Sequence, residues 1–184
     1  MKRGLCCIVF FALLAAAAFP ADEGGASLLA GAGVSRMFFT DRADRPFVYG
    51  ASLALDYALF PVLSVGFEGG AHVVGDGDGR FATMPVLARL GVHLGFAFER
   101  FDVYAVFKFG YAFGASSGAA AYGGVLSGLV VGADLGLSYF FTGVFGVFFE
   151  GGYERFTLAR DGYGRDGVFA DKYASAGVAF KFGG

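Results

Sequence analysis

The sequence predicts an all-β chain: an eight-stranded antiparallel up-and-down transmembrane β-barrel, preceded by a cleaved signal peptide. Three observations carry this. Apolar residues recur at every second position over long stretches, the period of a strand rather than a helix. The intervening positions hold chiefly Gly, Ser and Ala, with about one charge per stretch, where a water-facing side would carry many Lys, Glu, Asp and Gln. Hydrophobic residues make up 56% of the 184 residues, yet 32 are glycine and none is tryptophan, a composition too apolar for a disordered chain and too rich in glycine for a helical bundle.

The front end sets the domain limits. Met1-Lys2-Arg3 precedes the apolar run GLCCIVFFALLAAAA, and small residues and Asp22-Glu23 follow, the order of a secretory signal. Cleavage after Ala18 or Ala21 is expected, which divides the chain into a signal peptide, 1–21, and one β-barrel domain, 22–184. Cys6 and Cys7 leave with the signal, so neither a disulfide framework nor a thiolate metal site is expected. Residues 4–19 are short for a retained membrane anchor. Once Lys2 and Arg3 are removed, acidic residues outnumber basic ones further than in the whole chain, whose formal net charge is −2; nothing points to a nucleic-acid partner.

Strands are expected near 28–38, 47–58, 63–74, 82–95, 102–113, 125–139, 144–155 and 172–182. In the second, Tyr49, Ala51, Leu53, Leu55 and Tyr57 alternate with Gly50, Ser52, Ala54 and Asp56. In the fourth, Met84, Val86, Ala88, Leu90, Val92 and Leu94 alternate with Pro85, Leu87, Arg89, Gly91 and His93; Pro85 calls for a bulge or a missing ladder bond. In the fifth, Val103 to Phe113 gives one apolar parity, with Tyr104, Val106, Lys108 and Gly110 between. In the sixth, Leu129, Val131, Ala133, Leu135 and Leu137 alternate with Val130, Gly132, Asp134 and Gly136. The uncharged run Phe109 to Ala133 is long enough for a spanning helix, but its seven glycines and its period of two argue for strands. The last strand, SAGVAFKFGG, sets Ala176, Val178, Phe180 and Phe182 on one face almost to the chain end.

The connections alternate in length. Loops 41–46, 75–81, 114–124 and 157–171 are expected at one end and tight turns 59–62, 96–101 and 140–143 at the other, the asymmetry of a barrel with short periplasmic turns and longer outside loops. In such a barrel the apolar parity faces lipid and the other fills a narrow lumen. Glu68, Arg89, Lys108, Asp134 and Glu150 then lie on five successive strands at similar distances from the tight turns. They are expected to form a charged belt of mutual ion pairs, since unpaired charge is costly at that depth; a structural plug and an ion or proton path both fit. Arg36 and Arg155 fall on the lipid parity near the loop end, where a long stem lets the guanidinium reach headgroup phosphates. Tyr49, Tyr57, Tyr111, Tyr139 and Tyr153 sit near strand ends on the same parity, as an aromatic girdle requires.

Ser175, Gly177, Phe180 and Phe182 match the polar-x-Gly-x-x-aromatic-x-aromatic spacing that outer-membrane barrels carry in their last strand, although two glycines follow here. The run Thr83 to Arg89 is similar to a strand found in many small barrels. On these residues the chain resembles the small eight-stranded outer-membrane proteins of the OmpA/OmpX-like type, with OmpW-like barrels as a close rival. The resemblance implies residence in the outer membrane of a two-membrane bacterium and an assembly signal at Ser175, Gly177, Phe180 and Phe182. It also implies two kinds of partner, the outer-membrane lipids and the barrel assembly machinery.

No enzymatic activity, cofactor or metal is expected. A lipid A deacylase of this shape would carry His-x-Ser on the lipid face, whereas His72-Val73-Val74 and His93-Leu94-Gly95 lack the serine. Both histidines fall on the lumen parity, near opposite ends, where ordinary packing is expected. Gly75-Asp76-Gly77-Asp78-Gly79 lacks the further ligands of a calcium loop, and Gly162 to Gly167 has the make-up of a loop tip rather than a phosphate cradle. The expected function is structural or surface interaction, with a host or surface ligand meeting the loops 41–46, 75–81, 114–124 and 157–171. A narrow channel for small or apolar solutes is the alternative, and a lipid-modifying enzyme or soluble ligand carrier ranks below both.

Overall fold

The computed structural model describes residues 25–39, 47–60, 62–76, 79–95, 100–118, 124–159 and 167–182. The expected signal peptide, 1–21, lies outside the described residues. Eight strands follow in order: β1 (Ala26–Phe39), β2 (Phe47–Phe60), β3 (Leu63–Asp76), β4 (Gly79–Gly95), β5 (Phe101–Gly118), β6 (Gly124–Phe140), β7 (Phe145–Ala159) and β8 (Gly167–Phe182). Each pairs antiparallel with the next, and β8 returns to β1, closing the barrel. The closing seam runs from Ala26↔Phe182 to Phe39↔Phe169. Among the described residues closure leaves no sheet edge, so each strand has a hydrogen-bonded neighbour on both sides, which is what a hydrocarbon environment demands.

The side chains invert the arrangement of a soluble protein. Lys108 is 0% exposed and Arg89 3%, while Phe67 and Leu135 are each 70% exposed. Along β7, outward Val147, Phe149 and Tyr153 alternate with buried Phe148, Glu150 and Glu154. Polar groups inside and aromatic and branched groups outside suit an apolar solvent around the wall.

Strand ends depart from expectation at the loop end. β4 begins at Gly79, β5 continues to Gly118, β7 to Ala159, and β8 starts at Gly167. The ladder runs through segments such as Gly114-Ala115-Ser116-Ser117-Gly118, paired as Gly114↔Thr83 to Gly118↔Gly79; small residues there blur the apolar alternation without interrupting the backbone bonds. Strands therefore reach into the expected loops 75–81, 114–124 and 157–171, of which 77–78, 119–123 and 160–166 lie outside the described residues. The β3–β4 connection is as short as the β2–β3 turn, so the simple contrast of long loops against short turns fails at that hairpin. The longest strand, β5, has 18 residues, more than the roughly 9–11 that a tilted bilayer crossing requires.

Local chemistry sets the turns. In the turn 141–144, Thr142 Oγ1 accepts hydrogen bonds from Val144 N at 3.2 Å and Phe145 N at 2.9 Å. Pro85 falls inside β4. The β3–β4 partners run to Gly69↔Val86 and resume at His72↔Thr83, and the gap at Met84 and Pro85 is where the ring withdraws a donor.

Candidate functional site in the barrel lumen

The lumen polar residues stand opposite one another or two positions apart on adjacent strands, so register stacks them at one level. Arg89 on β4 stands opposite Gly66 on β3 and Lys108 on β5. Its Nε donates to Asp56 Oδ1 at 3.0 Å, its Nη1 to Glu68 Oε2, and its Nη2 to Glu150 Oε1 at 2.8 Å. Three carboxylates on β2, β3 and β7 thus share one guanidinium, whose planar fork offers donors in three directions. Lys108 Nζ lies 2.6 Å from Glu68 Oε2, 2.5 Å from Asp134 Oδ2 and 3.6 Å from Glu154 Oε1, and it donates to Tyr173 Oη at 2.7 Å. Glu68 Oε2 therefore bridges the two cations.

All five residues expected in the belt, Glu68, Arg89, Lys108, Asp134 and Glu150, meet in this network. Asp56, Glu154 and Tyr173 belong to it too and were not expected there. The parity rule already places Asp56 with Ala54 and Glu154 with Glu150; Tyr173 shares the inward parity of Ser175.

Glycines opposite the acidic groups make room for them. A Cβ at Gly66, the partner of Asp56, would lie 2.1 Å from Asp56 Oδ1, and one at Gly152, the partner of Asp134, 1.9 Å from Asp134 Oδ1. At these two positions glycine pairs an absent side chain with a large acidic one across the strands.

Apolar layers bound the network. Towards the loop end, Val48, Leu87, Val130, Phe156 and Leu158 form one buried cluster. Towards the turn end, Ala54, Phe140, Phe148 and Ala179 form another, and Lys181 Nζ sits 4.1 Å from the centre of the Phe140 ring. Beside the belt, Ser52, Glu68, His72, Glu154, Tyr173 and Ser175 help line a small cavity of about 30 Å³, room enough for ordered water.

The two histidines separate, as their positions require. His72 packs edge-on to Phe156, with ring centres 6.5 Å apart. His93 instead joins Ser64 and Asp102 near the turn end: Ser64 Oγ lies 2.7 Å from its Nε2 and Asp102 Oδ2 2.7 Å from its Nδ1. This trio was not expected, because nothing in sequence spacing joins three strands.

On the outer wall, Arg155 is exposed near the loop end of β7, and Lys172 is exposed on β8. The backbone of Arg36 pairs with Phe47 and Lys172, while its side chain lies outside the described residues. In the last strand Ser175 is buried and faces the lumen. Phe180 lies 5.4 Å from Phe145, ring centre to ring centre, and Phe182 pairs with Ala26. A Cβ on Gly177 would come within 2.1 Å of Ala30 O, so glycine there permits close approach at the closing seam.

A closed ring of eight antiparallel strands with a polar lumen and an apolar wall is the fold of the small outer-membrane β-barrel proteins. Neisserial surface protein A superposes with a TM-score of 0.64 at 12% identity, over 86% of this chain and 99% of that one. Ail, the attachment invasion locus protein of Yersinia pestis, superposes with a TM-score of 0.59 at 19% identity, over 87% and 99%. The outer-membrane protein OprG from Pseudomonas aeruginosa follows with 0.52 at 14% identity, over 88% and 97%. No protein-family model and no curated protein matches the chain.

Proposed function

We propose that the protein is an integral outer-membrane barrel with a structural or surface-interaction role, closed to solutes. The observation that carries this reading is the stacking of the lumen: the apolar layer around Phe156, the ion-paired belt around Arg89 and Lys108, and the apolar layer around Phe140 and Phe148. Solute passage, the rival reading, would need a continuous wet path through both apolar layers and the ion-paired belt. Interaction then falls to the loop end of the barrel, where the segments 41–46, 75–81, 114–124 and 157–171 were expected to meet a host or surface ligand. The outward Arg155 supports contact with lipid phosphates at the same end, and likeness in fold to a surface protein and an attachment protein is consistent with this role.

Cell fractionation with gel mobility tests the placement. The protein is expected in the outer-membrane fraction, and its apparent mass in detergent gels should change on boiling, because a closed barrel resists unfolding without heat. Recovery in the soluble periplasm, with one mobility throughout, would overturn the proposal.

A further inference from the structure

We propose that Ser64, near the short-turn end of the barrel, is a base-activated nucleophile that accepts acyl groups from small carboxylic esters. This goes beyond the surface role and stands apart from the belt. The geometry is that of nucleophile, base and orienting carboxylate: Ser64 Oγ to His93 Nε2, and His93 Nδ1 to Asp102 Oδ2, each 2.7 Å. An ionised carboxylate can only accept a hydrogen bond, so with Asp102 charged Nδ1 carries the ring proton. Nε2 is then the acceptor for the Ser64 hydroxyl, the tautomer a general base requires.

The fold builds this trio from three strands. Ser64 on β3 stands opposite Gly91 on β4, and His93 opposite Tyr104 on β5, with Asp102 two residues before it. A Cβ at Gly91 would lie 2.4 Å from Ser64 Oγ and 3.0 Å from His93 Nε2; the missing side chain lets hydroxyl and imidazole meet. The Tyr104 ring, 5.5 Å from that of His93 between centres, supports the imidazole on one side. The side chains of His93 and Asp102 are 21% and 19% exposed, whereas Ser64 is 4% exposed, so only a slender acyl donor reaches Oγ.

The step balances with water as co-reactant. Ser64 Oγ attacks the ester carbonyl carbon while its proton passes to His93 Nε2. Collapse of the tetrahedral adduct breaks the C–O bond to the departing alcohol, which takes that proton and leaves acyl-Ser64. Water, deprotonated by the same nitrogen, attacks the acyl carbon; the acid leaves and the proton returns to Ser64. The His93 amide donates to Val62 O at 3.0 Å just beyond the end of the β3 ladder, and Ser64 is paired on both sides, with Ala58 on β2 and Gly91 on β4. With those donors engaged there rather than directed at an oxyanion, activated reagents are expected to react and ordinary esters to turn over slowly.

The test uses the full protein purified from outer membranes, its fold checked by the heat-dependent mobility, and a fluorophosphonate probe with peptide mass mapping. One adduct at Ser64 is expected. Replacing His93 by Ala, or by Gln where the Ala variant loses the folded band, should slow labelling by about 100-fold or more, and Asp102→Asn should slow it while leaving the folded band in place. No adduct at Ser64 in the folded parent would overturn the proposal, and so would labelling at equal rates in the parent and both variants.

Discussion

Glu150 of β7 accepts a hydrogen bond from Arg89 Nη2 of β4 at 2.8 Å, and the two meet across the lumen rather than along the wall. Arg89 also binds Asp56 and Glu68, so one side chain neutralises groups on three other strands. Replacing it with Ala would leave those carboxylates buried without their shared cation, a loss expected to cost about 3–5 kcal/mol. Arg89→Lys should recover only part, because an ammonium lacks the planar fork. Denaturant titration of the folded gel band measures this, and an unchanged midpoint for Arg89→Ala would show that the belt contributes nothing to stability.

The glycine pairing gives a matched comparison. At Gly152 a Cβ would meet Asp134 Oδ1 at 1.9 Å and Ala133 O at 2.6 Å, whereas at Gly69 it meets nothing within 4 Å. Gly152→Ala should therefore destabilise by about 1–3 kcal/mol through overpacking. Gly69→Ala should be neutral or slightly stabilising. The same titration decides, and equal effects at the two positions would remove steric room as the reason for glycine at 152.

Leu135 tests what surrounds the wall. It is 70% exposed and lies next to the belt residue Asp134, at the level where hydrocarbon is expected. Leu135→Arg should cost about 2–4 kcal/mol in a bilayer if the position lies at its midplane, and little in a protein exposed to water. Refolding into lipid vesicles under increasing urea measures the difference; an unchanged midpoint would mean that this face does not meet lipid.

The strand pattern was legible because a barrel wall with an apolar outer face and a narrow lumen enforces strict alternation, as in Val86, Ala88, Leu90 and Val92. The far ends were not, since Gly114 to Gly118 has no apolar parity to read while its backbone still pairs. In the belt, the charges on five successive strands were legible from parity and depth. Asp56 and Glu154 were readable by the same rule, but Tyr173 enters through its hydroxyl, which periodicity does not weigh. Ser64, His93 and Asp102 required the registers of β3, β4 and β5, which no single strand encodes.

Phe182 separates assembly from stability. It pairs with Ala26 at the closing seam, and loss of one buried Phe side chain is worth at most about 2–3 kcal/mol. Phe182→Ala should still refold in detergent with its heat-shifted mobility, yet accumulate poorly in the outer membrane of living cells; Tyr at 182 should restore accumulation. Quantitative blotting of outer-membrane fractions checks this, and equal levels of Phe182→Ala and parent would reduce the last strand to a purely structural element.

The closed lumen is tested most directly by planar-bilayer conductance of the refolded protein. With Phe156, Phe148 and Phe140 buried on either side of the Arg89–Lys108 network, the parent should insert without resolvable conductance steps, and Arg89→Ala should admit water and produce small ones. Steady, reproducible conductance from the parent protein would contradict the account.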